Sequence, residues 1–569
     1  MLIPTRNVRS ASIDQFVTNL LPVAMTSYNA FTKTWSGPRI ESPFLPTTSV
    51  GQAICTVLAK TPTKVSQICD SDGRVLTCED LRLRTIRVAQ NLTKLGFKPG
   101  EVIAVVAGYS TNLSPVIFGC FLAGFVVNTV DSRLDAHDMS HLLRLTEPVL
   151  VLCDEAFFET VQAAIAEAEI TARLMILTED LASPTGTEDR FQGPSVPDSK
   201  VTLAAVITSS GSTGLPKPIC LSHAQLINLT CSLITNDQSL YSTADNDRED
   251  DRAILLTSQL HWISGYMMLL GGLMSGIRRI ITSHRYEADL ALNLVEKYGV
   301  THVLAPPPLA LELVQRQRLA GYDLSSLRYF LCGGTTVPDW LRDDIDGVLP
   351  NGRCYVGYGM SETGAGAMAV EKVIWRGTVG ELEANIEMKV INPHDGTLLG
   401  PSQPGELLAG YRYPFLGYFH QEKATAEIIR QEDNFLHTGD IGFIDSRGFV
   451  TLQDRLKEII CWGFYQISPS EMEGIIGQLE GVRQVVVVGI ATAEQLDLVT
   501  AVVVRGDDQL QEEDVVRFVE GRVCDFKRLR GGVYFVEELP VTNTGKVRRA
   551  QVRKMAVRMY EERHGSLKH

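Results

Sequence analysis

The sequence predicts an α/β protein built from more than one unit, and three observations carry that expectation. At 569 residues the chain is longer than one ordinary hydrophobic core supports. From about Val75 short β-rich runs alternate with helical patterns, which favours parallel sheets covered by helices. From about Arg376 the texture changes to closely spaced strand and turn signals, such as Asp395-Gly396 and Arg447-Gly448. That pattern points to a more antiparallel, β-rich subregion.

In chain order, residues 81–95 carry a helical pattern and 102–106 read as a strand. The uncharged stretch 102–130 resembles a membrane span in length. Gly108-Tyr109-Ser110-Thr111-Asn112 divides it into a strand and a small-residue helix over 115–125, so the expectation is a buried pair and no integral span. Strands follow at 149–152, 174–177 and 201–207, with helices at 138–145 and 155–166 between them. The acidic stretch 242–252 reads as a solvated loop.

After Asp454 comes a compact α+β pattern, with strands at 484–488, 499–504 and 532–535 and helices around 468–478 and 513–522. Residues 456–569 hold 16 basic and 17 acidic side chains, a net of -1, so the rest of the chain carries -13 of the total -14. The domain boundary is therefore placed between 1–455 and 456–569. The basic run 546–559 reads as a helix packed on the second domain.

Composition narrows the function. A net charge of -14 argues against nucleic acid as the main partner, because phosphate backbones need a basic field. It leaves room for ATP, whose site is a small local patch. Eleven cysteines without CxxC pairs or zinc spacing fit reduced thiols in an intracellular protein. Cytoplasm is the expected compartment, with peroxisome or mitochondrion left open. Arg6 and Arg9 precede the first acid, Asp14, and Leu567-Lys568-His569 is not a Ser-Lys-Leu signal.

The segment from Thr208 to Lys217 is the most informative in the chain. Directly after a β-rich run, Ser209, Ser210, Gly211, Ser212, Thr213 and Gly214 lead through Leu215-Pro216 to Lys217. Small residues let backbone amides approach an anion, hydroxyls donate to phosphate oxygens, and lysine adds charge. The spacing is not that of a GxxxxGK[ST] loop. A Ser/Gly-rich surface turn is the alternative reading of the loop taken alone.

The segment resembles the phosphate loop of the adenylate-forming superfamily of acyl-CoA synthetases, firefly luciferase and 4-coumarate-CoA ligases, and is most similar to the luciferase-like branch. The family loop usually ends Pro-Lys-Gly, whereas Pro218 follows Lys217 here and removes a backbone donor. Further motifs appear in the family's order from about Val50 to Val557. Gly357-Tyr358-Gly359-Met360-Ser361-Glu362-Thr363 resembles the family's Tyr-Gly-x-Thr-Glu segment. By that match Tyr358 stacks on adenine, Ser361 stands beside the α-phosphate and Glu362 holds Mg2+. Alone, Ser361-Glu362 would read as a helix cap. Gly333-Gly334-Thr335-Thr336 resembles the adenine-side loop.

His437-Thr438-Gly439-Asp440 resembles the motif whose aspartate holds the ribose hydroxyls, and Asp454-Arg455-Leu456-Lys457 resembles the hinge, with Arg455 also reaching ribose. Near the end, Thr542-Asn543-Thr544-Gly545-Lys546 resembles the mobile lysine loop, and Lys546 would stabilise charge as carboxylate attacks the α-phosphate. The resemblance implies a large N-terminal domain of two βαβ-type subdomains plus a β-rich one. A small α+β lid would turn about Lys457.

Around His261-Trp262-Ile263-Ser264-Gly265 many relatives carry a histidine gating the acyl pocket; here Trp262 takes that position, as an aromatic gate or as a buried structural residue. After the hinge, Cys461 replaces a usual lysine and Phe464 stands where the family has the glycine lining the thioester tunnel. A one-residue shift would give that role to Gly463. The expectation is an ATP-dependent acid:CoA ligase using Mg2+, with CoA as co-substrate and a fatty or aryl acid as substrate; oligomeric state stays open. The altered tunnel residues predict impaired or rerouted thioester formation. Two alternatives stand beside it. One is an adenylating enzyme with another second step, such as luciferase-like oxidation or amine transfer. The other is a nucleotide-binding pseudoenzyme, against which Thr213, Lys217, Glu362, Asp440, Arg455 and Lys546 speak.

Overall fold

The structure is a computed structural model that describes residues 26–208, 217–229, 252–284, 286–371, 375–430, 432–462, 465–491, 497–542 and 546–565. The alternation seen in the sequence builds a first, six-stranded sheet. Its order is Pro218–Ser222, Leu203–Thr208, Val126–Thr129, Val102–Val106, Leu150–Cys153 and Arg173–Ile176. All neighbours are parallel except the Pro218–Ser222 edge. Helices cover the sheet, which is why Val102–Val106 is hydrophobic at every position and buried at every position.

Two helices show what sequence patterning blurs. The first starts at Cys78, not 81, because Thr77 and Asp80 form a capping box that satisfies the first-turn amides. The uncharged helix is Leu113–Ala123, and each of its 11 residues is buried. Its lack of polar residues reflects burial on all sides. Among the described residues no helix is long and apolar enough to cross a membrane. The loop expected over 242–251 lies outside the described residues.

A second sheet of nine strands has six parallel strands at its centre: Arg353–Tyr358, Tyr329–Gly333, His302–Ala305, Ala253–Leu255, Arg278–Ile281 and Val65–Cys69. The β-rich region forms a third, wholly antiparallel sheet of Ser27–Asn29, Thr34–Ser36, Ile386–Ile391, Gly405–Tyr411, Leu436–Ile444 and Val450–Arg455. Its first two strands come from the start of the chain, and Trp35 is buried against this sheet. Strands of three residues are too short to show a period.

The smaller C-terminal domain follows the turn Leu456–Glu458. A hairpin of Ile460–Trp462 and Tyr465–Ile467 leads to the helix Pro469–Ile476, then to a sheet of Val482–Ala491, Asp497–Arg505 and Gly532–Val536. Ile460, Met472, Val487, Val503, Val515 and Val533 give it a core of its own. The basic helix starts at Arg549, later than the sequence run suggests. The backbone of Thr542 donates to Lys546 O at 2.7 Å and that of Arg548 to Pro540 O at 2.8 Å, so residues 546–548 pair with 540–542 before the helix begins.

Candidate active site

The parallel strands of the second sheet end where a ligand is expected in an open α/β sheet, beyond their carboxyl ends. Tyr329–Gly333 delivers Gly333 and Gly334 there, and Arg353–Tyr358 delivers Tyr358 and Gly359. Gly333 and Gly357 are register partners. Ser361 and Glu362 follow in the short turn Ser361–Thr363.

The third sheet supplies the opposite wall. Within Leu436–Ile444, Gly439 takes φ +67°, and the pairing with Gly405–Tyr411 shifts register between Glu406 and Leu408. Such a bulge re-aims the next side chain. That side chain is Asp440, the register partner of Arg455 across the sheet. Asp440 Oδ1 lies 2.6 Å from Arg455 Nε, and Asp440 Oδ2 accepts from the Tyr358 hydroxyl at 2.7 Å. Burial pushes the Asp440 carboxyl up; Arg455, Tyr358, Lys457 and Lys546 pull it back. Burial first, then Asp440, holds Tyr358 well above the usual phenol value, so it stays a donor. A carboxylate has about four acceptor positions, so two partners leave Asp440 capacity for vicinal hydroxyls.

Lys546 arrives from the smaller domain. A β-carbon on Gly334 would lie 4.0 Å from Lys546 Cε, an ordinary contact that puts the lysine stem against this loop, while the φ of +88° is what calls for glycine there. Burial, then Arg455, depresses the ammonium's pKa, while Asp440 and Glu362 raise it. The hinge lysine, Lys457, is likewise pulled down by burial and Arg455, against Glu458 and Asp440.

Glu362 and Lys217 meet through a residue the motifs did not single out. The Tyr418 hydroxyl donates to Glu362 Oε1 at 2.9 Å, and Lys217 Nζ lies 4.8 Å from the centre of the Tyr418 ring. The register that does this is antiparallel: Ile219 bridges Tyr418, Cys220 N donates to Gly417 O, and Phe419 N to Pro218 O. Ser209, Ser210, Gly211, Ser212, Thr213 and Gly214 lie outside the described residues. Their flanks are placed, since Thr208 and Pro218 are register partners in neighbouring strands.

The His261–Gly265 segment docks on this loop's entrance, where Thr208 N and Oγ1 both donate to the His261 carbonyl, at 3.1 and 3.3 Å. The His261 ring is buried, 3.4 Å from Asp131 Oδ2 and edge-on to Trp262. Burial takes this imidazole down to about 4 despite Asp131. Arg133 caps the half-buried Trp262 face at 5.5 Å and donates to both Asp131 oxygens. Asp131 and Arg133 carried no motif. Gly265 is buried where a β-carbon would sit 2.1 Å from Gln259 O, so its glycine is explained by packing. Cys461 pairs with Gln466 in the hairpin after the hinge, while Gly463 and Phe464 lie outside the described residues.

One carboxylate, Glu362, shares Tyr418 with Lys217, and such a lone carboxylate suits Mg2+, which takes one or two protein carboxylates and completes its shell with phosphate oxygens and water. Among the described residues no group of three or more His, Cys, Asp and Glu could hold a metal without such help. Glu362, with one oxygen on Tyr418, fits that limited role.

Known proteins share the sequence family and the fold. The model of AMP-binding enzymes matches residues 56–419, and that of the AMP-binding enzyme C-terminal domain matches 471–546. A 4-coumarate-CoA ligase of Narcissus pseudonarcissus is 27% identical over 503 residues, covering 85% of this chain and 90% of that protein. One of Humulus lupulus is 29% identical over 499 residues, covering 84% and 89%. The solved structure of ATP-bound MatB from Rhodopseudomonas palustris shares the fold at a TM-score of 0.78 and 23% identity, covering 90% of this chain and all of that one. The chain belongs to the AMP-binding enzyme family, within the adenylate-forming superfamily of acyl-CoA synthetases and luciferases.

Proposed function

We propose that this chain is an ATP-dependent acid:CoA ligase that activates a fatty or aryl carboxylic acid through an acyl-AMP. The observation that carries the reading is that Lys546, from the C-terminal domain, lies against Gly334 of the large domain, where it feels the charges of Arg455, Asp440 and Glu362. Residues 1–455 form the nucleotide-binding domain in this reading and 456–569 the lid.

Asp440 and Arg455 take the ribose, with Tyr358, Gly333, Gly334 and Gly359 along the adenine. The loop from Ser209 to Gly214, together with Lys217 and Ser361, takes the phosphates. Mg2+ on Glu362 neutralises charge on the phosphate oxygens when bound. The substrate carboxylate attacks the α-phosphorus, pyrophosphate leaves, and Lys546 stabilises the negative charge that gathers at the phosphoryl centre. The CoA thiol then attacks the acyl carbonyl and AMP leaves. His261, Trp262 and Gly265 flank the acid's side of the phosphate loop. The 4-coumarate-CoA ligase relatives support the aryl side of that choice.

The test is pyrophosphate release over a panel of short-, medium- and long-chain and aromatic acids, with and without CoA. Lys546→Ala is expected to lose acyl-AMP formation by roughly two orders of magnitude, the scale of one oriented charge-stabilising group, while ATP binding stays. Near-zero turnover by both proteins on every acid would favour the pseudoenzyme reading. Cys461 and Phe464 favour one second reading, an adenylating enzyme whose thioester step is impaired or replaced. It predicts that acyl-AMP accumulates with CoA present; CoA consumption equal to pyrophosphate release removes it.

A further inference from the structure

One guanidinium joins the hinge to the lysine loop. Arg549 opens the last helix three residues after Lys546, and Glu458 directly follows the hinge residue Lys457. Arg549 Nε lies 3.0 Å from Glu458 Oε2. Its Nη1 and Nη2 grip the Glu473 carboxylate at 2.6 and 2.7 Å, and Nη1 also donates to the Val487 carbonyl at 3.0 Å. Glu473 in turn accepts from Val487 N at 2.7 Å. The Arg549 and Glu458 side chains are 22% and 23% exposed, so solvent and salt screen the pair less than a surface contact.

The other side of Arg549 is equally tied down. Arg548 donates from its backbone to Pro540 O and from Nε to Val541 O at 3.0 Å, while Lys546 N donates to Thr542 Oγ1 at 3.2 Å. Lys546 therefore does not shift without the start of the helix. Asp454 makes a second tie at the same junction, accepting from Ser468 Oγ at 2.7 Å and Ser470 N at 3.0 Å. That tie reaches the helix Pro469–Ile476; the Glu458 tie is the one on the lysine-loop side. Along the chain the route from Glu458 to Arg549 crosses the whole lid, whereas through the ion pair it is one contact.

We propose that Arg549, held by Glu458, is the positioning residue that fixes Lys546 relative to the hinge for the adenylation step. The inference rests on the role given to Lys546 above. An arginine is needed because three separate nitrogens serve two carboxylates and a carbonyl, which a lysine ammonium at one point cannot do.

Glu458→Gln tests it, since it removes the charge and leaves the Arg549–Glu473 grip that builds the lid. The expected result is a roughly tenfold fall in kcat for acyl-AMP formation, the scale of a small misplacement of a reacting group. ATP affinity and the melting temperature of the variant should match the unmodified protein. Arg549→Lys should fall at least as far. In a Lys546→Ala background Glu458→Gln should cost nothing more, because both act through one group. Unchanged kcat in Glu458→Gln, an equal loss in ATP affinity, or a full additional loss on top of Lys546→Ala would each overturn the proposal. Full acyl-AMP formation by Lys546→Ala alone would instead overturn the reading of the lysine, and this inference with it.

Discussion

Tyr418 shows how a single side chain can organise two others that motifs had already named. Its hydroxyl orients Glu362, and its ring offers a face to Lys217. The two contacts separate by substitution. Tyr418→Phe keeps the ring and loses about 1.5 kcal/mol of hydrogen bonding to a charged group, so the KM for MgATP should rise roughly tenfold. Tyr418→Leu also removes the cation–π contact, about 0.5–1 kcal/mol, and should raise it a further few-fold. Pyrophosphate release at varied MgATP reads both, and an unshifted KM in the phenylalanine variant would deny the hydroxyl any part in holding Glu362. Nothing around Gly417-Tyr418-Phe419 marks the tyrosine in the sequence. Its place depends on pairing with Pro218–Ser222, about two hundred residues earlier in the chain. Asp131 and Arg133 escaped for the same reason: they act through His261 and Trp262, far along the chain.

At the level of elements, the readable features were those with long periods or dense local chemistry. Val102–Val106 stood out as an unbroken apolar run, 115–125 and 499–504 as uncharged and largely apolar ones, and the phosphate loop as a cluster of hydroxyls and glycines. What stayed hidden depends on contacts across the chain. Thr34–Ser36 is a strand between Ser27–Asn29 and Ile386–Ile391, and the second of these lies about 350 residues along the chain. Family likeness gave Asp440 and Arg455 their ribose roles, but the bulge at Gly439 and their register across the sheet went unread, since neither spacing nor periodicity reveals a cross-strand pair. Asp454 was read as part of a hinge motif, and the structure adds a capping duty. Its Oδ2 takes the Ser468 hydroxyl and the Ser470 amide at the start of Pro469–Ile476. Asp454→Ala should cost that helix about 1 kcal/mol, the usual value of a lost cap. Amide exchange in Pro469–Ile476 should then speed up roughly fivefold while the nine-stranded sheet keeps its protection. Uniform acceleration everywhere, or none in this helix, would deny Asp454 the cap.

At the scale of the whole molecule, acid should act on the two domains unequally. His223, His261 and His302 are buried in the large domain, where desolvation takes their imidazoles down to about 4, about 4 and about 3. His223 Nδ1 accepts from Val50 N, and His302 Nδ1 sits 2.7 Å from Thr301 Oγ1 with its ring stacked on Tyr329. All three rings are therefore built into packing that suits the neutral form. The unfolded chain protonates each near 6.5, before the folded chain does. Stability is then intact above about pH 6.5, falls as pH drops through that value, and stops falling below the folded values. Between pH 7 and pH 5 each ring contributes a loss of about 2 kcal/mol, in a window above most carboxylate titration. The lid has no buried histidine among its described residues, where His564 is exposed, and burial raises the pKa of its Glu473, so acid does not loosen it through that group. Calorimetry at pH 7 and pH 5 should show the large domain's transition moving to lower temperature while the lid's transition stays nearly in place. His302→Gln should remove about a third of the large domain's shift, because the three rings have different partners, Val50, Asp131 and Thr301. Equal movement of both transitions, or a shift that survives replacement of all three histidines, would mean that acid acts through other groups.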